Sequence, residues 1–393
     1  MIEKYYDGAI EQVAAGLGTV EKNYLLVRYS GQFSVENLND TKQLEKNEDI
    51  FVQVHEFETG EITCAYEPYL TMICDGFRRY MTGTFEEFME TCDVYYLHRP
   101  VLLGYFNQDN TGREEIILLD EVAYEQERML AALERMLCAI ADRHPVLFVL
   151  NRFQLASKST MQLTARFLKC ENCNIGLVLG VSDIQAMPEF LVPDWEMLYE
   201  TLDDGSKIYH IGNSGRKKEE TIDDEKYVDY GSEKVYRKLQ NMVEFLDFDQ
   251  AAYYLENIER KIKFDNLLVD DAARFRMWLL FVKVSILRQD IPKALEICED
   301  LEKIHLAGKE EECAYEQDYL IATAYMYQGK LKEALEMAGE TYRIAGKMSD
   351  DYRMFLSELL EAKIQMSGWY NIFFCAQDVK IKESLIQNLI RSN

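Results

Sequence analysis

The sequence predicts a parallel-sheet α/β domain followed by an all-α superhelix of helical repeats. In the first part of the chain, short apolar segments alternate with amphipathic helical patterns. This alternation is typical of a parallel sheet with helices on both faces. In the last part nearly every segment has helical periodicity, and alanines recur about every 40 residues, which indicates stacked helix pairs. We therefore divide the chain into an α/β domain (1–214), a linker (215–232) and a repeat domain (233–393).

Five segments of the α/β domain have the composition of buried strands. Each is short, rich in β-branched or aromatic residues, and bounded by polar or turn residues. Between them, apolar residues at helical spacing over 121–143 predict a long amphipathic helix. The predicted strands cover 24–29, 50–55, 146–150, 175–181 and 207–211.

The linker is predicted from composition. Residues 213–226 are polar and charged, with almost no apolar side chain, which is typical of a linker or long loop.

The repeat domain contains three copies of a helix–turn–helix pattern, aligned on alanines that lie 43 and 40 residues apart. A weaker fourth copy has its turn at Gly368. One helix pair cannot bury its apolar face alone, so we expect the copies to stack. The pattern resembles tetratricopeptide repeats, and a non-repetitive helical bundle is the alternative. The matching positions are Ala251, Trp278, Ala294, Ala322, Tyr325, Gly329, Ala334 and Ala338.

Composition argues against several classes of partner. The chain has 43 Lys and Arg against 69 Asp and Glu, a net charge of −26 that repels nucleic acids and anionic membranes. No apolar run approaches the roughly 18 residues that span a bilayer, and the N-terminus does not resemble a signal peptide. Nine scattered cysteines are typical of reduced thiols. We therefore expect a cytoplasmic protein with neither nucleic-acid nor membrane partners.

Residues 145–182 (PVLFVLNRFQLASKSTMQLTARFLKCENCNIGLVLGVS) carry a family resemblance. An apolar strand is followed by an aromatic residue, Gln, a polar stretch that opens a helix, and a second apolar strand. This segment resembles the core of the signal-transduction ATPases with numerous domains (STAND), a branch of the P-loop NTPases related to AAA proteins. Residues 62–73 resemble the Pro-Tyr segment of the same family. The resemblance covers about residues 1–212 and implies a P-loop-NTPase-like fold.

The chemistry of that family does not carry over at its acidic positions. The resemblance implies two acids after the strand, where this chain has Asn151 and Arg152. The first acid would hold Mg²⁺ and the second would help to position the attacking water. Asn is a poor Mg²⁺ ligand, and Arg has the opposite charge.

The phosphate-binding loop is also degenerate. After the first strand, Gly31 matches the first glycine of G-x-x-x-x-G-K-[ST], but Glu36, Asn37 and Leu38 replace the Gly-Lys-Ser/Thr that should follow. Glu36 would repel a triphosphate. We therefore predict a pseudo-ATPase with no catalytic residues, no cofactor and no metal.

Other motifs predict no chemistry. Cys170 and Cys173 have metal-like spacing, but zinc needs four ligands and the sequence offers no second pair. A thioredoxin-like role is disfavoured because this pair does not open a helix after a strand. The five histidines are far apart. Aromatic residues of the repeats either pack between helices or line a binding groove.

We therefore expect a signalling or scaffold protein whose repeat groove binds a protein or peptide. Residues 92–100 suggest an alternative by resemblance: the N-terminal regulatory half of a bacterial regulator whose diguanylate-cyclase or DNA-binding output lies outside this chain. A third hypothesis is an active ATPase switch, with nucleotide held by backbone N–H groups at the helix after Gly31.

Overall fold

The structure is a computed structural model that describes residues 2–19, 23–29, 49–58, 61–108, 122–170, 174–182, 187–203, 208–211, 229–265 and 267–375. It divides into two compact units, Met1–Leu268 and Val269–Asn393. Within the described residues, none of the helices combines the length and apolar content of a membrane-spanning segment.

A five-stranded parallel sheet forms the centre of the first unit. The predicted strands are confirmed, with ends that differ by at most one residue. They are β1 (Tyr24–Tyr29), β2 (Phe51–Glu56), β3 (Val146–Asn151), β4 (Ile175–Ser182) and β5 (Ile208–Ile211). The strand order is β2-β3-β4-β1-β5, so the first strand lies between the fourth and the fifth. Every residue of β3 and β4 is buried, as expected for a parallel sheet covered on both faces.

Nine helices are described in the first unit, and the predicted long helix is α5. They are α1 (Ile2–Gly16), α2 (Tyr69–Tyr80), α3 (Phe85–Thr91), α4 (Arg99–Asn107), α5 (Val122–Ala141), α6 (Lys158–Lys169), α7 (Val192–Asp203), α8 (Glu233–Glu244) and α9 (Phe248–Phe264).

Helices cover both faces of the sheet. On one face, Ile10 and Val13 of α1 pack against Leu147 and Val149 of β3. Gly176 of β4 permits this close approach, since a Cβ there would lie 2.8 Å from Val13 Cγ1. The other face carries an aromatic core. There the Tyr69 ring of α2 lies between Phe148 of β3 and Phe167 of α6, with centroid distances of 4.7 and 5.3 Å.

Helices α8 and α9 belong to the first unit, although the sequence pattern groups them with the repeats from residue 233. Ala251, the first aligned alanine, is buried in α9. The cause is a set of hydrogen bonds and ion pairs that join these two helices to the α/β domain. The predicted linker over 215–232 falls mostly outside the described residues, which resume at 229.

The second unit is helical throughout its described part. Its helices are α10 (Asp271–Leu287), α11 (Ile291–Leu301), α12 (Glu310–Gln328), α13 (Leu331–Met348) and α14 (Asp351–Cys375). Four alanines at matching positions of the repeat pattern and Trp278 are buried, and Tyr325 packs against one of the apolar clusters. Gly329 ends α12 with a φ of 80°, a left-handed conformation that glycine adopts without strain. The four alanines are Ala294, Ala322, Ala334 and Ala338.

The fourth predicted turn is wrong. Helix α14 runs without interruption through Gly368, where the repeat alignment expected a break. A single glycine lowers helix stability by about 1 kcal/mol, which a long packed helix tolerates.

Candidate functional site

Four strand ends meet at the carboxyl edge of the sheet. The strands are parallel, so their last residues lie at the same edge: Tyr29 of β1, Glu56 of β2, Asn151 of β3 and Ser182 of β4. Ligands of open parallel sheets bind outside this edge. The predicted vestigial acidic positions, Asn151 and Arg152, therefore lie where a ligand would approach. The phosphate-loop positions Gly31 and Glu36 fall outside the described residues.

A buried hydrogen bond crosses the end of β4. The Tyr29 hydroxyl donates to Asn151 Oδ1 at 2.7 Å, and both residues are buried. Their strands flank β4, so the tyrosine side chain reaches across the end of the intervening strand. Burial raises the pKa of Tyr29 to about 12, against a smaller opposing effect of the Arg152 charge. The hydroxyl therefore remains a protonated donor at physiological pH.

Arg152 is directed to the neighbouring strand. It has left-handed backbone angles (φ 52°, ψ 42°), which turn the chain sharply out of β3 into a 3₁₀ turn at Phe153–Leu155. Its Nη2 lies 3.3 Å from Glu56 Oε1 of β2. The cation that replaces the second acid of the resembled family is thus paired with a carboxylate of the same edge.

Gln154 joins the ends of β3 and β4. Its Nε2 donates to the Ser182 carbonyl at 3.2 Å, and its Oε1 accepts from the Ser182 backbone N–H at 3.3 Å. The amide is buried, so this two-way bond satisfies its own donor and acceptor and two backbone groups of Ser182. Together, the Tyr29–Asn151, Arg152–Glu56 and Gln154–Ser182 pairs link the ends of four strands. We call these six residues the strand-end network.

The strand-end network has no metal-binding chemistry. Its one carboxylate, Glu56, lies against Arg152, and its remaining side-chain oxygens are neutral acceptors. Across the described part of the chain, no three His, Cys, Asp or Glu side chains gather as metal ligands would. Magnesium prefers several carboxylate or phosphate oxygens in octahedral geometry. The network can hold the strand ends together, but it cannot supply a metal centre by itself.

Sequence reasoning identified Asn151 and Arg152, and the family motif included Gln154. It missed Tyr29 and Glu56. Tyr29 and Glu56 had one usable signal, which is their position at the end of a predicted strand or directly after it. Their partners lie 122 and 96 residues away along the chain, so sequence spacing cannot pair them.

The N-terminus of α6, the helix that follows β3, is covered by α9. The Ser159 backbone N–H donates to Asp247 Oδ2 at 3.0 Å, and the Lys158 N–H donates to Gln250 Oε1 at 3.3 Å. Lys158 also forms an ion pair with Asp249. Burial raises the pKa of Asp247, while its hydrogen bonds with Ser159 and the Lys158 charge oppose that rise. The anion-binding end of α6 is therefore occupied by a carboxylate of the same chain.

Helices α8 and α9 also bind the segment that precedes α2. Lys238 Nζ lies 2.6 Å from Glu61 Oε1 and donates to the Ile62 carbonyl at 2.8 Å. Asn241 Oδ1 accepts from the Ala65 N–H at 3.2 Å. These bonds and the α6 contacts form the α8–α9 contact, which explains why both helices belong to the first unit.

A polar cavity of about 520 Å³ lies between α2, α4 and α8. Charged side chains of both signs line it, and Arg78 Nη1 is paired with Asp75 Oδ1 at 3.1 Å. The cavity lies in the helical layer rather than at the sheet edge, so it is separate from the strand-end network.

Exposed apolar side chains follow one side of α14. Tyr352, Phe355, Leu359 and Met366 recur at intervals of three, four and seven residues, which places them along one stripe of the helix. Leu360 and Ile364 lie on another face and are buried against α12 and α13. By contrast, Phe275, Trp278 and Tyr315 are buried, so these aromatic residues of the repeats serve packing.

The strand-end network makes a measurable contribution to stability. Tyr29→Phe removes the hydroxyl and leaves Asn151 Oδ1 without that donor inside the protein. We expect a loss of about 1.5 kcal/mol in the free energy of unfolding, measured by urea denaturation. Tyr342→Phe, at an exposed tyrosine of α13, is the matched control and should change stability by less than about 0.5 kcal/mol. Equal effects of the two changes would contradict the buried bond.

No family model, curated protein or solved structure matches this chain. The resemblance of residues 145–182 to STAND ATPases therefore stays a prediction. What the chain does must be inferred from its own side chains.

Proposed function

We propose that this chain is a signalling or scaffold protein whose α/β domain keeps a P-loop-NTPase-like fold without nucleotide chemistry. The strand order supports the fold part of this proposal. The resemblance implies a phosphate loop after the first strand and two acids after β3, and the strand order places these two strands on either side of β4. In that arrangement the ends of β1 and β3 flank the ligand, and here they carry Tyr29 and Asn151.

The strand-end network is the observation that carries the loss of nucleotide chemistry. An NTPase needs room and negative charge between the ends of β1 and β3, because Mg²⁺ and the phosphates meet there. In this chain the Tyr29–Asn151 bond spans that interval, and both residues are buried. Arg152 is paired with Glu56 instead of positioning a water molecule. Because these two pairs occupy the strand ends, the strand-end network favours a structural role over nucleotide binding.

The α8–α9 contact supports a structural role for the α/β domain, as a rigid support. Asp247 caps α6, and Lys238 and Asn241 bind the segment before α2. A surface held by buried and partly buried hydrogen bonds favours a domain that acts as a rigid support.

The helical second unit supplies the partner-binding role in this proposal. Stacked helix pairs act by presenting an extended surface to a protein or peptide. The apolar stripe of α14 supports this assignment, because exposed apolar side chains in a continuous row favour protein partners over small polar ligands.

Nucleotide titration tests the proposal directly. We expect millimolar ATP or ADP, with or without Mg²⁺, to leave the thermal midpoint of the whole chain unchanged. A ligand at 100 times its dissociation constant adds about 2.7 kcal/mol, and this would shift the midpoint of a chain of this size by several degrees. The measurement is differential scanning fluorimetry, repeated by calorimetry.

Two controls make the result specific. Tripolyphosphate identifies non-specific anion binding, which would give the same shift as ATP without any need for Mg²⁺. A Mg²⁺-dependent shift with ATP alone would contradict the pseudo-ATPase proposal and favour the active-switch hypothesis. Asn151→Ala then reports whether that nucleotide binds at the strand ends, since the shift should disappear in the variant if it does.

A further inference from the structure

Two thiols from different helices meet at one end of the first unit. Cys138 lies in the last turn of α5, and Cys170 is the residue that ends α6. Their sulfur atoms are 3.8 Å apart, and both side chains are partly buried. A disulfide bond is about 2.05 Å long. The two sulfurs therefore need to approach by about 2 Å to form one.

This pair differs from the one that the sequence singles out. The Cys-x-x-Cys spacing joins Cys170 to Cys173, which lies outside the described residues. The fold instead brings Cys138 to Cys170, from 32 residues earlier in the chain. Among the cysteines that the structure describes, these two are the pair in sulfur–sulfur contact.

We propose that Cys138 and Cys170 form a reversible intramolecular disulfide by exchange with a low-molecular-weight disulfide of the glutathione class. This would be a thiol-modification site of the α/β domain. It is independent of the proposed function, because it requires neither nucleotide nor partner binding.

The exchange balances in two steps. The Cys170 thiolate attacks one sulfur of the small disulfide, forms a mixed disulfide and releases one small thiolate. The Cys138 thiolate then attacks the Cys170 sulfur, forms the protein disulfide and releases the second small thiolate. The two protons of the protein thiols end on the two small thiols. The protein is oxidised by two electrons and the small disulfide is reduced by two.

The surroundings of Cys138 predict how the reaction rate depends on pH. Burial raises the pKa of the Cys138 thiol, and Cys170, Glu134 and Asp142 act in the same direction. Arg166 of α6 faces the same region but is paired with Glu134 at 2.8 Å. The Cys138 thiolate, which attacks in the second step and closes the bond, is therefore scarce at neutral pH. We expect closure to speed up about tenfold from pH 7 to pH 8.

The disulfide would close a loop around the sheet edge. Residues 138–170 contain β3, the 3₁₀ turn with Arg152 and Gln154, and all of α6. Cross-linking this loop restricts the unfolded chain. We expect oxidation to raise the thermal midpoint of the first unit by about 5 °C, and reduction to reverse the shift.

The test is disulfide mapping of the full folded chain in a glutathione redox buffer at pH 8. We expect the wild type and Cys173→Ser to yield the linked peptides of Cys138 and Cys170. Cys138→Ser and Cys170→Ser should yield neither that linkage nor the rise in thermal midpoint. All variants should match the wild type in circular dichroism under reducing conditions, and a variant that does not is replaced by the corresponding Cys→Ala.

A second experiment distinguishes a disulfide that the fold directs from one that forms because two cysteines are close in sequence. In concentrated urea the short loop between Cys170 and Cys173 should close in preference to the longer loop between Cys138 and Cys170, because short loops cost less entropy to form. A folded wild type that forms the Cys170–Cys173 bond would overturn the proposal. So would the absence of the Cys138–Cys170 bond in the folded chain at every glutathione ratio.

Discussion

Asn151→Asp should destabilise the protein by about 3 kcal/mol at pH 8, because it introduces a carboxylate at a fully buried position. The two side chains have nearly the same shape, so packing is preserved. Tyr29 can still donate its hydrogen bond to the new carboxylate. What changes is the charge: the adjacent cation, Arg152, is already paired with Glu56. The substitution restores the first acid of the resembled ATPases, yet the surrounding residues do not suit it.

The same variant should show a characteristic pH dependence. Burial raises the folded-state pKa of an introduced carboxyl above its unfolded value of about 3.9. The folded protein then holds the proton more tightly than the unfolded chain, so stability falls as pH rises from the unfolded pKa through the folded one. We expect the deficit to be small near pH 4 and complete at pH 8. Urea unfolding across this range, compared with the wild type, measures it.

Asn107→Asp is the control for the charge change. Asn107 ends α4 and is exposed, so the same substitution there should cost less than about 0.5 kcal/mol. If Asn151→Asp matched this control at pH 8, the strand ends would be shown to accept negative charge. If Mg²⁺ restored the stability of Asn151→Asp, that result would reveal a metal site at the strand ends and would contradict the proposed function.

The strands could be predicted because their signal is local. In β3 and β4 every residue is buried, so the chain is continuously apolar between polar turns. The order of the strands is a different matter. The pairing of β1 with β4 depends on contacts between residues about 150 positions apart, such as Tyr24 with Leu177. Single-sequence patterns carry no such information.

The position of the candidate site could be predicted from the sequence, but the side chains that contact Asn151 and Arg152 could not. The resemblance identified Asn151 and Arg152 at the end of a strand. It could not indicate that Tyr29 reaches across β4, or that Glu56 neutralises the arginine. Each of these contacts joins side chains from different strands, and the sheet order decides which strands are neighbours.

The helices after residue 232 show a second limit of sequence patterns. A hydrophobic stripe with a buried alanine at 251 fits a repeat copy, but the stripe does not specify the surface that it covers. The α8–α9 contact depends instead on polar groups, among them Asp247 and Lys238. On sequence alone these residues are indistinguishable from solvated ones. Gly368 illustrates the same limit, since the sequence pattern does not distinguish a glycine within a helix from a glycine in a turn.

Asp247→Ala should be the most damaging change in the α8–α9 contact. Asp247 precedes α9 but makes no side-chain bond to that helix. Its carboxylate instead accepts from the Ser159 N–H of α6. Alanine would leave this buried N–H without its acceptor and would open a small cavity. We expect a loss of about 3 kcal/mol, with α6 as the first element to lose hydrogen-exchange protection. Asp249→Ala, which breaks the partly exposed ion pair with Lys158, is the control and should cost at most about 1 kcal/mol.

Asp247→Asn distinguishes the hydrogen bond from the charge. Burial raises the pKa of Asp247, so the site favours the neutral form of the side chain. For a carboxyl whose folded pKa is raised, the stability it contributes falls as pH increases from about 4 through the folded pKa. Asparagine keeps an acceptor for Ser159 and cannot ionise. It should therefore stay within about 1 kcal/mol of the wild type at pH 7 and should flatten this part of the pH profile.

A large loss of stability in Asp247→Asn would show that the charge of Asp247 matters more than its hydrogen bond. If Asp247→Asn were as damaging as Asp247→Ala, the negative charge itself would stabilise the N-terminus of α6, through the helix dipole and Lys158. The wild type would then gain stability from this group as pH rises, the reverse of the expected sign. Urea unfolding of the three proteins at pH 4.5 and 7 separates these two mechanisms. It would also identify which property of Asp247 holds α9 on the α/β domain.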